Sequence, residues 1–140
     1  MTCTHLRLLT VLIDLLHARP AGIRIRLDDG DLAADELGAV DFPTGTITIS
    51  RSATLREFRS TLAHELLHLR RGPAFAGYEA AEEAVVEAMA ARLLVPLSQI
   101  IWPADARVVA EDLVVDEALA RLAIQLAVED AMNTQPQEVS

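Results

Sequence analysis

The sequence predicts an α+β fold. Three observations carry that reading: helical periodicity opens the chain, two short segments in its first third alternate like strands, and helical patterning then runs from Thr54 almost to the end. At 140 residues the chain has the length of one domain, enough to bury roughly two-thirds of its unfolded surface in a core. Residues 1–132 are expected to form that domain and residues 133–140 ("NTQPQEVS" from Asn133), with nothing to bury, a flexible tail. No internal repeat, low-complexity segment or linker interrupts it.

The first helix is expected over residues 4–19, with Leu6, Leu9, Leu12, Leu15 and Leu16 at helical spacing and Pro20 and Gly22 closing it. Its apolar run Leu8–Leu16 is too short to span a bilayer and contains Asp14. The following "HARPAG" lacks a small-residue cleavage pattern, so the run reads as core-facing and the protein as cytoplasmic, without membrane association. "IRIRL" (Ile23–Leu27) alternates apolar and cationic residues, as a strand with one wet face does, and "DDGD" after it reads as a turn. "TITIS" (Thr46–Ser50) is a second strand, with Ile47 and Ile49 on one face.

A well-specified helix follows at about residues 54–71. Thr54 and Glu57 make a T-x-x-E capping box, and Gly72–Pro73 ends it. Another is expected at about 79–95, halted by Pro96, and a C-terminal helical part at about 97–132 with helices near 104–112 and 116–131. Asp116 is placed to cap the last of them.

Composition narrows the function. The net charge is −9, and all 12 cations are arginine; such a body repels phosphate backbones and argues against direct nucleic-acid binding. The helix–turn–helix look of residues 104–131 does not change this, because only Arg107 and Arg121 stand there among many acids. The lone Cys3 leaves no intramolecular disulfide and fits a reducing compartment.

The chemistry-bearing stretch is "LAHELLHLRRG", Leu62 to Gly72, which contains H-E-x-x-H. Chance yields that pattern in about one such sequence in a hundred, but here it falls inside a capped helix. There, side chains at i and i+4 lie about 40° apart around the axis and about 6 Å apart along it, so two imidazoles can reach one ion. Leu55, Phe58, Leu62, Leu66 and Leu69 supply a core stripe without the histidines. His64 and His68 are therefore candidate metal ligands. Glu65, about 100° from His64 around the axis, is badly placed to ligate and well placed as a general base.

A tetrahedral catalytic site needs a third protein ligand. No histidine follows His68, and Arg71 and Ala74 break the longer H-E-x-x-H-x-x-G-x-x-H pattern. An acid on the next helix is expected. Glu83 and Glu87 share a stripe with Ala90 and Leu94, and buried acids need a cation or metal. Glu83 is the expected ligand, with Glu82 and Glu79 as alternatives within the error of helix phase. Glu87 would accept the free N–H of His64 or His68.

These segments resemble the ImmA/IrrE family of zinc metallopeptidases. The likeness is carried by "TGTITISRSATLREFRSTLAHELLHL" and "EEAVVEAMAARLLVP", and more weakly by "LVVDEALARLAIQLA". Leu67, Glu87, Met89 and Val95 stand where the family usually has Gly, Asn, Phe and Met. The resemblance implies a compact zincin-like domain, with a small antiparallel or mixed sheet, a HExxH helix, a glutamate-ligand helix and C-terminal helices. It implies zinc on His64, His68 and Glu83, Glu65 as base, and a regulatory endopeptidase that cleaves a helix-turn-helix repressor. Tyr78 is the candidate oxyanion donor. The strand residues Thr46, Ile47, Thr48, Ile49 and Ser50, if they form a sheet edge, would pair with an extended substrate. The competing reading is a non-catalytic anti-repressor with structural zinc, against which the intact Glu65 argues.

Overall fold

Every predicted helix forms, and the sheet holds one strand more than the alternation reveals. The computed structural model describes residues 3–19, 21–28, 30 and 32–134. In chain order these give α1 (Cys3–Ala18), β1 (Arg24–Leu27), β2 (Gly38–Asp41), β3 (Thr46–Ile49), α2 (Leu55–Arg71), α3 (Glu79–Leu94), a 3-10 turn (Leu97–Gln99), α4 (Ala106–Leu113) and α5 (Glu117–Asn133). The α+β class holds. Pro20, Asp29, Asp31 and most of the expected tail, residues 135–140, lie outside the described residues; Asn133 ends α5. At the "DDGD" turn, Asp28 Oδ1 accepts the Gly30 N–H at 2.9 Å.

The three strands form a mixed sheet in the order β1–β3–β2. β1 runs parallel to β3, pairing Arg24 with Thr46 and Leu27 with Ile49. β2 runs antiparallel to it, pairing Gly38 with Ile49 and Asp41 with Thr46. β3 is therefore the central strand. This overturns the expectation that Thr46–Ser50 forms an edge open to substrate: both sides of its ladder are occupied, by β1 and by β2. The Ser50 N–H is also taken, by Leu37 O at 2.8 Å. Nor does β3 have a wet face, since Thr48 and Ser50 are buried along with Ile47 and Ile49. β1, expected to hide its apolar residues, is exposed along its whole length, because it lies at the sheet's edge.

Helix α2 is the hub, packing against α1, α3, β2 and β3. Its capping box forms as read: Glu57 N–H donates to Thr54 Oγ1 (3.2 Å), and Thr54 N–H to Glu57 Oε1 (2.9 Å). Gly72, at φ 86°, ends the helix while its N–H returns to His68 O. Left-handed φ is costly for a side chain and free for glycine. One apolar cluster joins α1, β3, α2 and α3 through Val11, Leu15, Ile47, Ile49, Leu66 and Val86. A second joins α2 and α3 to the C-terminal helices through Ala63, Ala91, Leu94, Val115 and Ala120. The face α1 buries is set by Leu8, Val11, Leu12 and Leu15, while Leu6, Leu9 and Leu16 are exposed. Leucines surround that helix, and packing on α2 and α3 selects the stripe that spacing alone leaves open.

Two consecutive residues of α2 hold the α4–α5 junction. Buried Arg59 donates from Nη1 to Leu113 O (2.7 Å) and Val114 O (3.3 Å), and the Asp116 N–H donates to Ser60 Oγ (3.3 Å). Asp116 stands at the N-cap position of α5, but its carboxylate does not cap the helix. No helix among the described residues is long and apolar enough to cross a membrane.

Candidate metal centre

One helical turn separates His64 from His68, and α3 crosses α2 so that Glu83 meets both. His64 Nε2 lies 2.7 Å from Glu83 Oε1, His68 Nε2 lies 2.8 Å from Glu83 Oε2, and the two Nε2 atoms are 3.1 Å apart. The rings meet edge to face, their centroids 4.7 Å apart. Among the described residues these three form a group of donors able to hold a metal ion. The donor set fits one: two imidazole nitrogens and a carboxylate suit a borderline divalent cation. Their separations approach the edge of a tetrahedron with bonds of ~2.0 Å, about 3.3 Å.

Protonation states favour ligation. Burial, opposed by the Glu83 charge, holds the His64 pKa below its ordinary value, so the ring is neutral and available at neutral pH. Both imidazoles are largely covered, whereas Glu83 is about half exposed, at 48 % of its side chain. Glu83 and Glu87 are thus exposed, contrary to the inward orientation their stripe suggested; Val86, Ala90 and Leu94 make the buried face.

Glu65 points elsewhere. It is 8 % exposed, and its carboxyl is pushed up to about 7 by burial first, then by the charges of Glu83 and Glu36. Among the described residues no hydrogen bond or ion pair relieves it. A carboxylate so placed can take up or release a proton near neutral pH.

The alternative ligands are engaged elsewhere. Glu82 forms an ion pair with Arg71, which holds its carboxyl below the usual range, and Glu79 Oε2 accepts the Gly77 N–H at 2.9 Å. Glu87 makes no hydrogen bond to either imidazole; it acts on His64 through charge. Tyr78 is 67 % exposed and lines a separate hollow with Arg71, Phe75 and Glu82, and it is not among the residues that line the cavity beside Glu65.

A cavity of about 370 Å³ opens beside His64 and Glu65, reaching Leu37, Gly38, Glu87, Asp116, Leu119 and Leu122. Sequence reasoning did not connect most of these to the motif. Ser60 and Thr61, also in its wall, lie one turn before His64 and Glu65 and were legible as the same face of α2; Asp116 and Leu37 come from distant segments that only the fold brings in. Gly38 shows why the approach is close: a Cβ there would stand 2.4 Å from Thr61 Cγ2 and 3.2 Å from Thr48 O. Comparison with protein families, with curated proteins and with solved structures returns no match.

Proposed function

We propose that this chain is a zinc-dependent endopeptidase of the ImmA/IrrE type that cuts a helix-turn-helix repressor. The observation that carries the reading is the pairing of two unlike acids on neighbouring helices. Glu83 is shared by two histidines, while Glu65, one residue from His64, is buried without a partner and poised near pH 7. A purely structural metal site has no use for the second carboxylate.

His64, His68 and Glu83 would hold the zinc. Bound there, zinc supplies Lewis-acid polarisation of a peptide carbonyl and makes water acidic enough to ionise at neutral pH. Glu65 takes up the proton at a carboxylate oxygen and returns it to the leaving nitrogen. In the metal-free chain its proton affinity is raised by burial and by the charges of Glu83 and Glu36. The substrate class rests on the resemblance of "TLAHELLHL" and "EEAVVEAMAARLLVP", and the acidic body, at net −9, favours encounter with a basic DNA-reading protein.

The test is to incubate the zinc-loaded chain with the helix-turn-helix repressor encoded beside its gene and to analyse the products by mass spectrometry. A single cut is expected, absent with Glu65→Gln although that variant keeps its zinc. Equal cutting by Glu65→Gln, or an intact repressor, overturns the reading.

A further inference from the structure

The cavity beside His64 and Glu65 has a composition that the reaction does not require. Its walls are apolar where Leu37 precedes β2 and where Leu119 and Leu122 line α5, and besides Glu65 it has two further carboxylates, the half-buried Asp116 and, at the rim, the exposed Glu87. No arginine lines it. We propose that this cavity receives a long cationic side chain of the substrate, arginine or lysine, next to the scissile bond, with Asp116 and Glu87 as its charge acceptors. The proposal rests on the peptidase reading above and names the side chain that the site selects.

Four features point the same way. The volume, about 370 Å³, lies within the range of pockets that enclose small ligands. Asp116 occupies the N-cap position of α5 without using its carboxylate there, and no cation among the described residues pairs with it or with Glu87. The charges that act on Asp116 are those of Glu57 and, more weakly and in the opposite sense, Arg56, both on the first turn of α2. Glu65, more than nine-tenths buried and unpartnered, lines the same cavity, so a third acid stands there with Asp116 and Glu87, among the leucines and the polar Ser60, Thr61 and His64. Partial burial raises the Asp116 carboxyl above its ordinary value, as expected of a carboxylate still awaiting a counter-charge.

Position is fixed as well as charge. The Asp116 N–H is held by Ser60 Oγ at 3.3 Å, and Ser60 lies one helical turn before His64, so the acceptor stands at a set distance from the metal ligands. Selectivity follows from what each side chain leaves behind. A guanidinium or ammonium lays its stem on the leucines and pairs the carboxylates. An apolar side chain of similar length covers the half-buried Asp116 without giving it a counter-charge, and an anionic one is repelled.

The test uses three blocked peptides identical except at one residue, arginine, norleucine or glutamate, titrated calorimetrically into the zinc-loaded Glu65→Gln chain. The arginine peptide should bind at least about tenfold more tightly than the norleucine peptide, and the glutamate peptide weakest. Combining Asp116→Asn with Glu87→Gln should bring arginine and norleucine within about twofold of each other. Each single substitution should lower the preference in part, which keeps the test decisive if the combination fails to fold. Norleucine bound as tightly as arginine, or a preference untouched by these substitutions, overturns the pocket. Arginine preference without cleavage by the wild-type chain would overturn the peptidase reading and leave the pocket standing; cleavage blind to the side chain would do the reverse.

Discussion

At the scale of single residues, Glu65 carries the largest electrostatic cost in the site. In the metal-free fold its carboxyl keeps a proton up to about pH 7, whereas the ordinary value is 4.5. The native state therefore binds more protons than the unfolded chain in that window, and stability is lost as pH rises from about 4.5 to 7. Glu65→Gln removes that loss. The metal-free variant should be more stable than the parent by roughly 2–3 kcal/mol at pH 8 and indistinguishable from it below about pH 4, in urea titrations at both values. Gly38→Ala should act the other way, costing roughly 1–3 kcal/mol because the added methyl is driven into Thr61 and the Thr48 carbonyl; an unchanged urea midpoint would show that β2 can retreat from α2. The grouping of His64, Glu65 and His68 was readable because helix geometry alone relates them. Glu83 was readable to within one residue, and the fold resolved it by giving Glu82 to Arg71 and Glu79 to a backbone N–H. The hollow that Tyr78 lines was not legible, because nearness along the chain to α3 says nothing about which side of that helix a loop residue takes.

At the scale of elements, the helices were legible and the sheet only partly so. A capping box, a glycine stop and Pro96 punctuate α2 and α3 in the sequence itself. β2 carries no such signal: "GAVD" has neither β-branched enrichment nor clear alternation, and it becomes a strand because β3 offers it a ladder. Once β3 is central, a proline at Thr48 has a different meaning. Thr48→Pro should lower overall stability by about 3 kcal/mol or more, as loss of a ladder bond in a buried strand requires, and leave no folded population with a selective binding defect. Thermal unfolding followed by circular dichroism distinguishes the two. Arg59 sets a second element-scale test. Arg59→Ala withdraws the donor that reaches Leu113 O and Val114 O and should cost roughly 2–4 kcal/mol. Amide exchange should accelerate first at residues 113–116, before the hydrogen bonds of α2 are affected.

At the scale of the whole molecule, metal binding and folding are linked. If zinc occupies the three-donor site, a concentration one hundred times its dissociation constant should stabilise the native state by about 2.7 kcal/mol. Calorimetry should show the gain at pH 7.5, its loss in the His64→Ala, His68→Ala double variant, and its decline as acid protonates the imidazoles. The two apolar clusters divide the labour: α2 and α3 bring the ligands and Glu65, while the start of α5 closes the far wall of the cavity. The hydrogen bonds that fasten that wall reach main-chain atoms, the carbonyls of Leu113 and Val114 and the N–H of Asp116. Leu113, Val115 and Ala120 are buried in the core, so freedom to vary without loosening the junction is confined to side chains outside it, Asp116 among them. On the proposed reading, Asp116 is the cavity acid whose side chain is tied to neither the metal donors nor the core, so Asp116→Ala should change which peptide is preferred while zinc content and the unfolding midpoint stay as in the parent.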